Sequence, residues 1–281
     1  MYVKTLKSPF TVEGIGLHTG KLGAVNITPS DSGKVIFVID GKKVEAVADN
    51  VINTRRSTAI GIDDNTKIGT VEHLLAALYL SQVGSVEIEI VEGKEIPILG
   101  GSAKEWYEKI QEVGTKDTGI LKKAPVVIEK PEYIINEGSE IILLPAKDDG
   151  LNMYYGISIK DTFIDSMIVG GDIFDDNVIK NMVQARTYGL ESEVKALIEA
   201  GLALGGSMDN AVIIGKDNYI NTDVKENEPA WHKLLDLVGD LSLAGVSIKG
   251  EIIVLRGGHR CHVNLAKKIY DLKSKGAKES C

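Results

Sequence analysis

Residues 229–243 have the sequence PAWHKLLDLVGDLSL, which predicts a helix that mixes buried and ionisable positions. Pro229 suits the first turn of a helix, and leucine and valine crowd the rest of the segment. His232, Asp236 and Asp240 recur at every fourth position. Because residues i and i+4 share one face of a helix, His232 and Asp236 can hold one ion between them. Asp240 lies one turn further along, where it can accept a hydrogen bond from another histidine and orient it.

The alternative for this segment is a solvated helix face that carries ordinary polar residues. Apolar side chains surround both aspartates, and carboxylates in such surroundings are buried only when they are paired or bind a metal. The pattern therefore favours a metal site over a solvated face.

A shorter helical pattern contains a second histidine. Residues 70–80 predict a helix that Thr70 caps, and residues 86–91 alternate as a half-buried strand does. Glu72 and His73 fall in the first helical turn, where the helix dipole stabilises an anion. Alone, this pair is more typical of a helix cap. Together with the first cluster it suggests a site, because two imidazoles and a carboxylate make a catalytic zinc centre.

A third cluster has the sequence RGGHRCH and follows a predicted strand. Its two glycines allow backbone to approach a ligand closely, and His259 could protonate a leaving amine while Asp240 keeps it charged. A turn with a surface histidine is the alternative. His262 lies three residues after His259 and is expected to point elsewhere, in a structural role. Cys261 is a possible ligand but is expected to face away from the site.

The two histidine-containing helices show a weak internal repeat, because each is followed by a glycine and then by a strand. The first is followed by Gly84 and a strand at 86–90, and the second by Gly245 and a strand at 251–254. A duplicated α/β unit would explain this. Chance would too, because helix–glycine–strand is a common order.

The remaining pattern predicts alternating strands and helices. The polar stretch 114–119, with glycine at both ends, predicts a boundary between domains 1–119 and 120–281. Further strands are predicted at 35–42, 125–128, 140–144, 154–159 and 210–214, and further helices at 102–113, 191–200 and 267–275.

Composition narrows the class of protein. Hydrophobic residues make up 43% and charged residues 26%, as in a soluble globular protein. No apolar run approaches the roughly 20 residues of a membrane helix, and residues 1–10 lack a signal-peptide pattern. A net charge of −8 argues against nucleic acid as a partner. Cys261 and Cys281 do not suggest a disulfide framework, so a cytoplasmic location fits best.

Taken in order, these motifs resemble one family, the zinc-dependent UDP-3-O-acyl-N-acetylglucosamine deacetylases of lipid A biosynthesis. The resemblance extends from residue 14 to residue 259. The segments that carry it are GIGLHTG at 14–20, NTRRST at 53–58, TVEHLLAAL at 70–78, EIPIL at 95–99, ARTYG at 185–189, GGS at 205–207, HKLLDLVGDL at 232–241 and GGH at 257–259.

The resemblance implies an α+β fold of two similar α/β sandwich domains. Each would be a sheet packed on two helices, with the active site between the helix layers. The second domain would carry a β-α-β insert near 188–214 that forms a passage for the substrate's acyl chain. The side chains expected to line that passage are Leu190, Val194, Leu197, Ile198 and Leu202.

The resemblance also implies the catalytic roles. It implies that zinc, or iron(II) in its place, is held by His73, His232 and Asp236. Glu72 would be the general base for the attacking water, and His259 the general acid that Asp240 orients. Thr187 would donate a hydrogen bond to the developing oxyanion.

Three further residues are implied to bind substrate. Lys233 would contact the phosphate or ester region, His18 would line the pocket, and Tyr188 would offer a ring to the sugar. The chain departs from the family at Gly100, where an aspartate is usual. It also departs at 162–167, which lacks a common His-Pro pair, so nucleotide contacts from this segment are not assigned.

The implied reaction hydrolyses the N-acetyl group of UDP-3-O-[(R)-3-hydroxyacyl]-N-acetylglucosamine and releases acetate, the committed step of lipid A biosynthesis. A monomer is expected. One alternative is the same chemistry on another N-acetylated nucleotide sugar or glycolipid, which the apolar stretch 188–202 disfavours. A binding protein without catalysis is disfavoured by the intact ionisable residues. Fusion to a dehydratase domain is not expected, since the chain ends soon after its last motif.

Overall fold

The first half of the chain builds a sheet of five strands with two helices on one face. The computed structural model describes residues 1–136, 138–147 and 149–279. The elements of this half are β1 (Tyr2–Leu6), β2 (Phe10–Ile15), β3 (Leu22–Pro29), β4 (Val35–Ile39), β5 (Lys42–Glu45), a 3₁₀ turn (Ala48–Asn50), β6 (Val51–Asn53), β7 (Ala59–Gly61), β8 (Lys67–Ile68), α1 (Glu72–Leu80), β9 (Val86–Glu92) and α2 (Lys104–Val113). The sheet order is β2-β3-β9-β4-β5, and β6, β7 and β8 form a separate small sheet.

The second half repeats this layering. Its elements are β10 (Thr115–Leu121), β11 (Val126–Val127), β12 (Glu132–Asn136), β13 (Ser139–Leu144), β14 (Leu151–Ile157), β15 (Met167–Asp172), α3 (Asp176–Val183), β16 (Thr187–Leu190), α4 (Glu191–Glu199), β17 (Ala211–Ile214), α5 (Glu228–Ser242), β18 (Ile248–Leu255) and α6 (His259–Glu279). The sheet order is β12-β13-β18-β14-β15, with β11 pairing alongside β18.

The two sheets have the same topology, strand for strand. In each, the central strand follows the histidine-bearing helix: β9 follows α1, and β18 follows α5. Each central strand is antiparallel to the strand on one side and parallel to the strand on the other. The weak repeat in the sequence thus corresponds to a repeated α/β unit. The mixed two-domain sandwich predicted from the resemblance is confirmed.

Alternation along the strands explains why helices cover only one face of each sheet. In β9, Val86 and Ile88 are fully buried whereas Glu87 and Glu89 are not. Burying every second side chain places one row against the helices and the other toward solvent.

The helix layers of the two halves meet where α1 crosses α5. A Cβ atom at Gly239 would overlap the carbonyl oxygen of Glu72, so only glycine permits this approach. The crossing therefore brings the first turn of α1 against the middle of α5, where the ionisable residues lie.

The polar stretch at 114–119 is not a loop. Thr115–Leu121 forms β10, which pairs antiparallel with β1. The chain therefore pairs with its own first strand, in a separate two-stranded sheet, before it enters the second half. The domain boundary at residue 119 remains a proposal. The region near 188–214 does contain a β-α-β unit, in which β16 and β17 pair in parallel around α4.

Two local predictions were wrong. Thr70 does not cap α1: its backbone is left-handed (φ 56°), Val71 precedes the helix, and the Thr70 hydroxyl donates instead to Glu95 at 2.8 Å. The last helix begins at His259 rather than at 267, directly after the turn at Arg256 (φ 54°) and two non-helical glycines.

Among the described residues, no helix combines the length and apolarity needed to cross a membrane. Cys281 lies outside the described residues, and Cys261 is a buried free thiol.

Candidate active site

One cavity of about 360 Å³ lies where α1, α5 and the start of α6 converge. It brings together nine of the residues predicted from the sequence, namely His18, Glu72, His73, Thr187, Tyr188, His232, Lys233, Asp236 and His259. Asp240 is completely buried behind its wall. The apolar residues of the β16–α4 segment (Leu190, Val194, Leu197 and Ile198) do not line it, and Ile198 is 51% exposed.

Three buried side chains at the bottom of the cavity form a possible metal site. Asp236 Oδ1 lies 3.4 Å from His232 Nε2 and 3.6 Å from His73 Nε2, and the two imidazole rings are nearly perpendicular. All three residues are at most 4% exposed. Within the described part of the chain, Asp236 Oδ1 has no hydrogen-bond partner despite its burial.

The protonation states of these groups suit a cation. Burial lowers the pKa of His232 to about 4, which keeps its ring neutral. Because its Nδ1 lies 2.9 Å from the carbonyl oxygen of Ala185, Nδ1 carries the proton and Nε2 keeps a lone pair that points to the cluster. Burial alone would raise the pKa of Asp236, but Lys233 and His232 hold it well below its usual range. The neutral ring of His232 and the ionised carboxylate of Asp236, together with the His73 imidazole beside them, are a donor set that fits a divalent zinc-type ion.

Glu72 occupies the first turn of α1, immediately before His73. Its Oε2 accepts a hydrogen bond from the backbone N–H of Thr58 at 3.0 Å, and its Oε1 lies 3.8 Å from His259 Nε2. Burial raises the pKa of Glu72 to about 7. A carboxyl group with such a pKa can both accept and release a proton near neutral pH.

His259 begins α6 and faces Glu72 across the cavity. Its Nδ1 donates to Asp240 Oδ2 at 2.9 Å, which leaves Nε2 directed toward Glu72 and Asp236. Burial by itself lowers the pKa of His259, but the carboxylates of Asp240 and Glu72 outweigh burial and raise it to about 9. The ring is therefore a cation at neutral pH and can act as an acid.

Lys233 forms an ion pair with Asp236. Its ammonium donates to Asp236 Oδ2 at 2.7 Å, so Oδ1 is the oxygen left for a cation. Arg56 and Arg260 also line the cavity and add two further cationic side chains to it.

The rim of the cavity combines a hydroxyl, a phenol ring and an imidazole. Thr187 begins β16 and is held by its N–H, which donates to the Gly101 carbonyl at 2.7 Å. The ring of Tyr188 lies edge-on to His232, with centroids 6.4 Å apart. Both ring nitrogens of His18 are buried and have no hydrogen-bond partner among the described residues. These groups can contact a ligand bound in the cavity.

Comparison of the sequence with known proteins identifies the family of the chain. The sequence profile of the UDP-3-O-acyl N-acetylglycosamine deacetylases matches residues 3–271. The chain belongs to this family. Relatives named UDP-3-O-acyl-N-acetylglucosamine deacetylase include one from Nostoc sp., 35% identical over 96% of this chain and 99% of the relative. Others come from Aquifex aeolicus (35% identical, 95% and 92% covered) and Leptospira biflexa (32% identical, 95% and 89% covered).

His262 does not line the cavity, as expected, whereas the position expected for Cys261 was wrong. Because α6 starts at His259, His262 lies three residues along the same helix face and its Nδ1 also donates to Asp240 Oδ2 at 2.9 Å. The Tyr155 hydroxyl lies 2.9 Å from His262 Nε2, so hydrogen bonds run from Asp240 through His262 to Tyr155. Cys261 lines the cavity instead of facing away from it.

Sequence reasoning also missed residues that support the site. Glu95 is buried and accepts hydrogen bonds from the backbone N–H groups of His18 and Thr19, so it shapes the loop that carries His18. Thr58 contacts Glu72 and Asp240. Glu95 and Thr58 both lie in segments that resemble the family, and this was the only signal, because their partners are far away in sequence.

Proposed function

We propose that the protein hydrolyses the N-acetyl group of UDP-3-O-[(R)-3-hydroxyacyl]-N-acetylglucosamine in a metal-dependent reaction that commits the sugar nucleotide to lipid A. The observation that carries this proposal is the placement of Glu72 and His259, the proposed base and acid, 3.8 Å apart beside the triad of His73, His232 and Asp236. Family membership supports the substrate class.

The proposed metal is zinc, with iron(II) as the alternative for the same ligands. His73, His232 and Asp236 would hold it, and the partnerless Oδ1 of Asp236 supports this assignment. When bound, such a cation polarises the amide carbonyl and makes water more acidic.

The chain's own residues then move the protons. Glu72 accepts a proton as water attacks the acetyl carbon, and the Thr187 hydroxyl donates a hydrogen bond to the developing oxyanion. One good donor of this kind contributes roughly 10²–10³-fold in rate. His259 donates the proton from Nε2 to the departing amine, while Asp240 holds its Nδ1–H. Acetate and the free amine result.

The substrate would extend from this centre in two directions. Lys233, His18 and Tyr188 would contact the sugar and its ester or phosphate region. The acyl chain would follow the β16–α4 segment, whose helix has no buried residue and carries exposed or half-buried apolar side chains. Leu190, Val194, Leu197 and Ile198 are assigned to this passage. We place the reaction in the cytoplasm, and we propose a monomer.

Acetate release from this substrate by protein of known metal content tests the proposal. We expect activity that a chelator abolishes and that about one equivalent of zinc restores. Activity that persists in chelator would contradict the metal assignment. No release despite one bound metal would contradict the substrate, and other N-acetylated nucleotide sugars would then be assayed on the same sample.

A further inference from the structure

Thr58 is fully buried and does not line the cavity, yet it contacts both carboxylates that flank the site. Its backbone N–H donates to Glu72 Oε2 at 3.0 Å, and its hydroxyl donates to Asp240 Oδ1 at 2.5 Å. Its carbonyl accepts a hydrogen bond from Val71 at 3.2 Å. All its polar groups therefore connect the start of β7 to α1 and α5.

We propose that Thr58 is a positioning residue, which fixes the base Glu72 and the acid His259 relative to each other across the helix crossing. The inference rests on the proposed function. Thr58 does not touch the reacting atoms and acts through the two carboxylates.

The contacts of Asp240 show how the Thr58 hydroxyl would act on it. Oδ2 accepts hydrogen bonds from His259 and His262, whereas Oδ1 accepts the hydrogen bond from Thr58. An ionised carboxylate only accepts, so the hydroxyl must donate. Without this hydroxyl, the carboxylate could turn about its Cβ–Cγ bond and His259 would lose its fixed partner.

The second contact, from the Thr58 N–H, determines which oxygen of Glu72 remains available to accept a proton. The Thr58 N–H holds Oε2, so Oε1 is left facing His259 Nε2 at 3.8 Å. This donor is a backbone group and survives any side-chain substitution except proline. The hydroxyl contact to Asp240 can therefore be removed by itself. Because catalytic geometry is sensitive to shifts of about 1 Å, a modest loss of fixation should be measurable in rate.

Thr58→Val removes the hydroxyl at nearly constant shape, and Thr58→Ser keeps it. Thr5→Val is a matched control, because Thr5 is also fully buried and its hydroxyl donates to the Ser85 carbonyl, in β1 and outside the cavity. On zinc-loaded protein we expect Thr58→Val to lower kcat by roughly 10–100-fold with little change in KM. Thr58→Ser should stay within a few-fold of wild type, and Thr5→Val should change only the melting temperature.

Equal kcat values for Thr58→Val and Thr5→Val, with an active wild type, would overturn the inference and leave the proposed function intact. An inactive wild type would overturn both. If Thr58→Val does not fold, Thr58→Ser and Thr58→Ala replace it, since they differ mainly in the hydroxyl. In an Asp240→Asn background, removal of the hydroxyl should cost less than it does in wild type. An undiminished cost there would show that Thr58 does not act through Asp240.

Discussion

The helices α1 and α5 occupy equivalent places in two sheets of the same topology, but they carry their ionisable residues differently. In α1 the polar pair, Glu72 and His73, is confined to the first turn, and the rest of the helix is apolar core. In α5 the polar residues extend through the middle of the helix, where His232, Asp236 and Asp240 are at most 3% exposed.

The difference shows two ways to keep ionised groups in a core. The first turn of α1 offers a favourable dipole to the Glu72 carboxylate, and the backbone N–H of Thr58 donates a hydrogen bond to it from outside the helix. The middle of α5 offers neither, so its aspartates depend on side-chain partners: Lys233 for Asp236, and Thr58, His259 and His262 for Asp240. Under the proposed function, one repeated scaffold thus supplies the base from one copy and, from the other, most of the metal ligands and the support of the acid.

The largest effect should come from the α1 side of this comparison. Glu72→Gln keeps an oxygen for the Thr58 N–H but removes the proton acceptor. We expect turnover to fall by roughly 10²–10⁴-fold while bound metal stays near the wild-type level. Steady-state kinetics on metal-quantified protein would check this, with the exposed Glu108→Gln on α2 as a control. Turnover within a few-fold of wild type would show that α1 supplies only a metal ligand.

A smaller effect is expected from the α5 side, where Asp240 acts on His259. The Asp240 and Glu72 carboxylates raise the pKa of His259 to about 9, so the acid is present below that pH and is lost as pH rises through it. In Asp240→Asn the pKa of His259 should fall, and the basic limb of the pH profile should move to lower pH. The maximal rate should fall by roughly 10–100-fold, as is typical when an orienting partner is lost. An unmoved basic limb would show that another group sets it.

The sequence predicted the polar face of α5 because four-residue spacing is a local property. It predicted Glu72 and His73 only in combination, since a polar first turn is ordinary in any helix. The partners that hold these groups were not predictable from spacing. Thr58 and Asp240 are 182 residues apart, and their contact depends on how the segment before β7 packs against α5. Cys261 was misplaced because it was expected to face away from His259, although residues two apart share one face of a strand and α6 in fact begins here.

The crossing itself supplies the last and smallest test, because the two helices can cooperate only if their backbones approach closely. Gly239 on α5 packs against the Glu72 carbonyl, and a Cβ atom there would force α1 and α5 apart. Gly239→Ala should therefore lower the free energy of unfolding by about 1–3 kcal/mol, although alanine favours a helix intrinsically. Thermal unfolding would measure this, with Gly189→Ala as a control, since a Cβ at Gly189 meets no atom within 4 Å. A Gly239→Ala protein as stable as wild type would mean that the helix layers can shift freely, and the fixed distance between Glu72 and His259 would then need another explanation.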